Sequence, residues 1–185
     1  MPYKFLVDTH HNLCIKCKGC MAICKNYNKT PKGVNRIQVV TINEGQPGQL
    51  NIPLMCLHCN DPPCMKVCPM KAIYKREDGI VLVDKDKCIG CGYCAFACPF
   101  GAPQFPEGGA FGSKGKMDKC TYCVLPYEPE RDENGNVIYR DPVPRCALIC
   151  PCETILAGEM EEITRKLRER VGALTASKIE SLFLF

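Results

Sequence analysis

Sixteen of the seventeen cysteines in this chain of 185 residues fall into four groups whose spacing is that of metal ligands. They are Cys14, Cys17, Cys20 and Cys24; Cys56, Cys59, Cys64 and Cys68; Cys88, Cys91, Cys94 and Cys98; and Cys120, Cys123, Cys146 and Cys150. The third group carries the sharpest signal. Cys88 to Pro99 fits C-x2-C-x2-C-x3-C-P without a mismatch. A cubane [4Fe–4S] cluster presents four irons at tetrahedral corners, and three thiolates at this spacing on a tight loop wrap three of them. Gly90 and Gly92 allow close backbone approach. The fourth cysteine, followed by Pro99, points away and ligates the other cluster of a two-cluster unit.

Group two is a variant in which Asp61-Pro62-Pro63 lengthens one loop. The exchange pairs it with group three. One cluster takes Cys56, Cys59, Cys64 and Cys98, and another takes Cys68, Cys88, Cys91 and Cys94. Group one repeats the spacing of group three, with Lys25 where the proline would stand, and group four is split by a long insertion. The same exchange assigns Cys14, Cys17, Cys20 and Cys150 to one cluster, and Cys24, Cys120, Cys123 and Cys146 to another. Four [4Fe–4S] clusters on sixteen cysteines are therefore expected. Group four alone also has zinc-ribbon spacing, although zinc there would leave Cys24 and a second group-one cysteine without a cluster. Cys152 reads as a small residue beside a cluster, with a ligand role as the sharper alternative. His10, His11 and His58 are not needed as ligands. His58, between Cys56 and Cys59, is best placed to shift a potential.

Composition excludes several other chemistries. A disulfide scaffold fits poorly, because the sequence runs from Met1 straight into folded-looking sequence with no export signal, and a reducing cytosol is the expected location. No apolar run approaches the ~18 residues of a membrane span. The formal charge of +4 changes once metal is counted. Each oxidised cluster with four thiolates carries about −2, which brings the loaded protein to roughly −4. The lysine and arginine excess then compensates buried anions. With no Trp and no aromatic-interleaved basic stripe, nucleic acid is not an expected partner.

The elements that must position these cysteines are short. Tyr3 to Val7 and Ile37 to Ile42 read as strands. Ala72 to Lys75 and Ile80 to Val83 form a hairpin about Glu77-Asp78-Gly79. Ile155 to Gly158 after Cys150-Pro151 echoes Ala72-Ile73 after Cys68-Pro69, an internal repeat of one cluster-binding unit. Val124 to Arg145 reads as a surface insertion or a partner-contact arm, with Asn134-Gly135 at its turn. Residues 159–185 read as one or two amphipathic helices. Glu161 with Arg165, and Glu162 with Lys166, sit at i,i+4 spacing, and Ile163, Leu167 and Val171 form an apolar stripe. Leu182 to Phe185 is an apolar tail.

In order, spacing and exchange pattern these residues resemble the four-cluster ferredoxin subunits of the dimethyl sulfoxide reductase superfamily. Cys98 to Phe105 and Lys116 to Cys123 are similar to formate dehydrogenase members in particular. Some members replace a group-three cysteine and carry a [3Fe–4S] centre; Cys91 is present here. The resemblance implies an α+β fold of tandem ferredoxin-like modules, two bacterial-type 2[4Fe–4S] units with a C-terminal helical extension. The outer module would span residues 1–50 and 106–158, with an insertion at 124–145. The inner module would span 51–105, and the extension 159–185. No catalytic constellation is present, so the sequence reads as an electron relay rather than an enzyme. The implied partners are a large catalytic subunit with a molybdenum or tungsten bis-pterin cofactor, and a quinone-reducing, flavin or ferredoxin partner. Similar subunits also accompany tungsten aldehyde oxidoreductase-type and benzoyl-CoA reductase complexes, and a free polyferredoxin is a further alternative. Lys119 reads as charge compensation or as a bridge from a cluster to the catalytic subunit.

Overall fold

The computed structural model describes residues 2–106 and 115–182. The tail residues Phe183 to Phe185, and residues 107–114 of the expected outer module, lie outside the described residues.

Short strands pair into three two-stranded sheets. Strands β1 (Tyr3–Val7) and β6 (Ile155–Glu159) are antiparallel and far apart in sequence, with Phe5 opposite Ala157. Strands β2 (Ile37–Ile42) and β3 (Leu50–Met55) form a hairpin with Val39 opposite Pro53. Pro53 is tolerated because a two-stranded sheet consists only of edges. The β2–β3 pairing crosses the boundary expected at residue 50. Strands β4 (Ile73–Lys75) and β5 (Val81–Val83) close the expected hairpin. Gly79 turns it with a φ of 81°, and a Cβ there would meet the Pro2 Cβ at 2.5 Å, so no other residue fits.

Five helices complete the fold among the described residues. Four lie in or beside the cysteine groups: α1 (Gly19–Asn28), α2 (Pro63–Lys66), α3 (Tyr93–Ala97) and α4 (Arg145–Leu148). Helix α1 packs on α4, and α2 on α3. The paired helices thus come from the cysteine groups that the exchange pattern couples. This mix of short helices and strands is a ferredoxin-like α+β fold. One core of Phe5, Ile37, Met55, Ile80, Leu82, Tyr122, Val124 and Ile155 joins all three sheets, and a smaller one gathers Ala72, Ile73, Val81, Val83 and Met117.

The extension is one helix, α5 (Met160–Leu182). It packs on β1 and β6 through Ile163, which is fully buried, with Leu167 and Val171 half-buried. Glu162 pairs with Lys166 at 2.8 Å as expected, but Arg165 reaches forward to Glu169 at 2.7 Å. No helix among the described residues is long and apolar enough to cross a membrane. The insertion folds back onto the rest of the protein. Tyr139 shares a hydrogen bond with Tyr74 at 2.8 Å, Arg131 reaches Asp86 at 2.6 Å, and Asp132 caps the Asn134-Gly135 turn.

Candidate iron–sulfur cluster sites

Cys56, Cys59, Cys64 and Cys98 line one pocket of about 370 Å³ with Leu57, Val81 and Ala102. Cys68, Cys88, Cys91 and Cys94 line a second of about 340 Å³ with Ile73, Phe105 and Met117. Cys14, Cys17, Cys20 and Cys150 line a third of about 340 Å³, and Cys152 shares its wall. In the remaining set, Cys120 and Cys146 each lie in the electrostatic field of Cys24 and Cys123. Each set draws three cysteines from one group and one from the coupled group. A zinc ribbon on group four would need Cys150 beside Cys120, Cys123 and Cys146. The structure puts Cys150 with group one and brings Cys24 in its place. Among the described residues no cluster of His, Cys, Asp or Glu is arranged to hold a single metal ion.

Local backbone explains how the sulfurs converge. Gly92, at φ 85°, opens α3 and turns the loop inward. Gly90 has φ 71°, and a Cβ on it would stand 2.1 Å from the Gly115 carbonyl oxygen. A crossing chain segment therefore requires its glycine. Tyr122 and Cys123 themselves take left-handed φ values of 55° and 63°. Side chains of those types rarely adopt this region, and they hold it here inside a fully packed core.

The donor set fits iron–sulfur clusters. The pocket walls are mostly aliphatic or aromatic apart from the sulfurs, and several sulfurs already accept N–H bonds. Ala72 N donates to Cys68 Sγ at 3.3 Å, Met117 N to Cys88 Sγ at 3.3 Å, and Tyr122 N to Cys120 Sγ at 3.4 Å. The buried Asn28 amide lies 3.7 Å from Cys24 Sγ and 3.9 Å from Cys123 Sγ. Such bonds stabilise thiolate. Burial, reinforced by neighbouring cysteines, pushes the Cys20 and Cys94 thiols up to about 11 and about 12. Burial raises Cys24 to about 12 against the pull of Arg36. Groups this reluctant to ionise become thiolates when a multivalent cationic core coordinates them.

Three buried polar residues are hard to place from sequence. Arg36, far from Cys120 in the sequence, clasps Asp118 and Thr121 beside it. Asn28 sits one helical turn after Cys24, and no spacing rule marks it. Lys119 does not face a partner subunit: it is 1% exposed and donates to the carbonyls of Val81 and Cys120. That overturns its reading as a bridge to the catalytic subunit. His58 is fully buried. Val81 N donates to its Nδ1 at 3.0 Å, which leaves the proton on Nε2. Burial, then the charges of Lys119 and Lys4, hold its pKa well below the ordinary value, so the ring is neutral. His11 ties to Asp8, at 3.0 Å to each carboxylate oxygen, and takes no part in the cysteine sets.

Known proteins are similar to this chain in sequence. Residues 49–160 match the family model of a 4Fe-4S dicluster domain. The sequence is 49% identical to the formate dehydrogenase iron-sulfur subunit of Wolinella succinogenes, over 89% of this chain and 87% of that protein. It is 36% identical to the B subunit of sulfite dehydrogenase from Allochromatium vinosum, over 87% of this chain and 72% of that one. It is 35% identical to the B component of anaerobic dimethyl sulfoxide reductase from Escherichia coli, over 89% and 77%. With its cysteines gathered into exchanged sets around apolar pockets, this protein belongs to the family of iron–sulfur subunits of formate dehydrogenases and dimethyl sulfoxide reductases.

Proposed function

We propose that this chain carries single electrons along a row of four [4Fe–4S] clusters, in two tandem ferredoxin-like modules, between a catalytic subunit and a second redox partner. The outer module is built from residues 1–50 and 106–158, the inner from 51–105. Cluster 1 is held by Cys14, Cys17, Cys20 and Cys150; cluster 2 by Cys24, Cys120, Cys123 and Cys146. Cluster 3 is held by Cys56, Cys59, Cys64 and Cys98; cluster 4 by Cys68, Cys88, Cys91 and Cys94. When bound, each cluster accepts and returns one electron at a potential set by its protein surroundings.

One observation supports the row above all others. Cys94 lies in the field of Cys64, Cys120 in that of Cys56, and Cys146 in that of Cys20. Neighbouring sets therefore adjoin in the order 4, 3, 2, 1. The ends differ from the middle: Cys91 of set 4 and Cys17 of set 1 are exposed, whereas all four cysteines of set 2 are buried. A relay needs this profile, with shielded interior sites and two outlets. The protein's own residues hold each cluster, exclude water and donate N–H bonds to sulfur. Substrate chemistry falls to the partner.

The relatives' names support a formate dehydrogenase-type host more than a tungsten aldehyde oxidoreductase-type complex or a free polyferredoxin. The partner expected is a large subunit with a molybdenum or tungsten bis-pterin cofactor, in the cytoplasm. Beyond it lies a quinone-reducing, flavin or ferredoxin partner. Anaerobic purification of the native complex tests this. A copurifying large subunit with a bis-pterin metal, whose substrate reduces the clusters in sequence, is the expected result. A cluster-loaded protein that recovers alone from native cells points to the free carrier.

A further inference from the structure

Two lysines are buried with no carboxylate partner among the described residues. Lys119 is 1% and Lys4 6% exposed. The Lys119 ammonium donates to the carbonyl of Val81 and, at 3.1 Å, to that of Cys120; the Lys4 ammonium donates to the carbonyl of His58. Among the described residues neither forms an ion pair with Asp or Glu. The charges that bear on Lys4 are those of Lys75, Cys59 and Cys56. A buried ammonium with carbonyl partners alone is strongly unfavourable unless an anion lies close by.

Lys119 stands between two cysteine sets, and Lys4 lies in the field of Cys56 and Cys59 of one of them. Lys119 lines the pocket of Cys56, Cys59, Cys64 and Cys98, and its charge reaches Cys64. Its neighbour in the sequence is Cys120 of the adjoining set. His58 packs edge-on against Tyr122 at 5.7 Å, and its carbonyl takes the Lys4 ammonium. Among the described residues, the surroundings of the Cys56–Cys59–Cys64–Cys98 set therefore include two buried ammonium groups.

We propose that Lys119, seconded by Lys4, is a buried cationic bridge that raises the reduction potential of the Cys56–Cys59–Cys64–Cys98 cluster. The proposal rests on the cluster assignment above. On reduction one electron enters the cluster, whose charge goes from about −2 to about −3, and no bond or proton is exchanged. Attraction to a fixed cation grows with that step, so the reduced state gains more than the oxidised one. In a water-excluded site the gain is not screened. A relay whose middle sites hold an electron favourably is charged from either end.

Anaerobic redox titration of the holoprotein, followed by EPR with iron counted per chain, tests this. The wild type is read first; fewer than four clusters there would defeat the assignment rather than the bridge. In Lys119→Gln the reduced-to-oxidised ratio of one cluster at a fixed potential should fall about tenfold, a shift of about 59 mV. Lys119→Arg should restore it. Lys4→Gln should lower the same cluster by less, and Lys116→Gln, on the exposed side of the same segment, should change nothing. Full iron in Lys119→Gln with every potential unchanged would overturn the proposal. So would Lys119→Arg shifting as far as Lys119→Gln, which marks a pin on β5. If Lys119→Gln loses iron, Lys4→Gln decides: an unshifted potential, or loss of iron there too, overturns it.

Discussion

Arg36 and Asp118 meet as a two-point ion pair, Nε to Oδ2 at 2.7 Å and Nη2 to Oδ1 at 3.0 Å, with both side chains buried. The third guanidinium nitrogen donates to Thr121 Oγ1 and the Leu125 carbonyl, each at 2.8 Å. One arginine thus ties the entry to β2 to the loop that carries Cys120 and Cys123. Lys85 completes the charge on Asp118 at 3.2 Å.

Arg36→Gln removes one partner of this pair and leaves the buried carboxylate with Lys85 alone. Breaking a buried pair from one side costs about 3–5 kcal/mol. The expected outcome is a lower unfolding temperature and loss of about four irons per chain from the Cys24–Cys120–Cys123–Cys146 set. Iron analysis with EPR checks it. Full iron content and an unchanged melt would mean that the clasp does not position this loop.

Cys91 is the exposed cysteine of its set. Cys91→Ala is expected to leave three thiolates on that cluster and release one iron. A [3Fe–4S] centre is paramagnetic when oxidised, where [4Fe–4S] is silent. EPR of the oxidised variant should therefore show a signal that the wild type lacks. A silent spectrum with a full iron count would place another ligand at that corner.

Gly90→Ala sets a methyl 2.1 Å from the Gly115 carbonyl oxygen, on a backbone with φ 71°. Backbone cannot retreat cheaply, so the loop from Cys88 to Cys94 should shift. Loss of the Cys68–Cys88–Cys91–Cys94 cluster, read as about four fewer irons per chain, is expected. Gly101→Ala serves as the comparison, because a Cβ there meets nothing within 4 Å. Equal iron in both variants would contradict the account.

Asp8 anchors helix α5. Its buried carboxylate accepts from His11 Nδ1 at 3.0 Å and His10 N at 3.1 Å, and faces Arg170 at 3.5 Å. Burial raises its pKa, but the His11 hydrogen bond and charge, with the backbone N–H groups, outweigh that and hold it below the usual 3.8. A depressed carboxyl contributes stability that is complete above 3.8 and is lost as pH falls through the folded-state value. At neutral pH, Asp8→Asn should lose all of it, roughly 1.5–3 kcal/mol for a charged hydrogen bond. Amide exchange across the first half of α5 should quicken about tenfold or more while cluster content holds. Unchanged exchange would show that Ile163 alone secures the helix.

The four cysteine groups are readable in the sequence because ligand spacing is local. Strands β1 and β2 and the β4–β5 hairpin are readable from β-branched runs and Asp78-Gly79. Strand β3 is not, because Pro53 and a short alternation mask it, and its meaning comes from β2. The clasp at Arg36 joins residues 82 apart, and nothing local marks an arginine that will be buried. Of the two readings of Lys119, the bridge to a catalytic subunit fails for a related reason. A lysine beside a cysteine gives no sign of burial until the fold sets its ammonium against the Val81 carbonyl. Sequence alone leaves insertion 124–145 between two roles, and its contacts with Tyr74 and Asp86 bind it to the rest of the molecule.

The central claim is four cubane clusters on sixteen cysteines. Iron, sulfide and zinc counted per chain in anaerobically purified protein test it most directly. The account predicts about sixteen irons and about sixteen sulfides with no stoichiometric zinc. About eight irons with one zinc per chain would contradict it, returning Cys120, Cys123, Cys146 and Cys150 to a zinc ribbon.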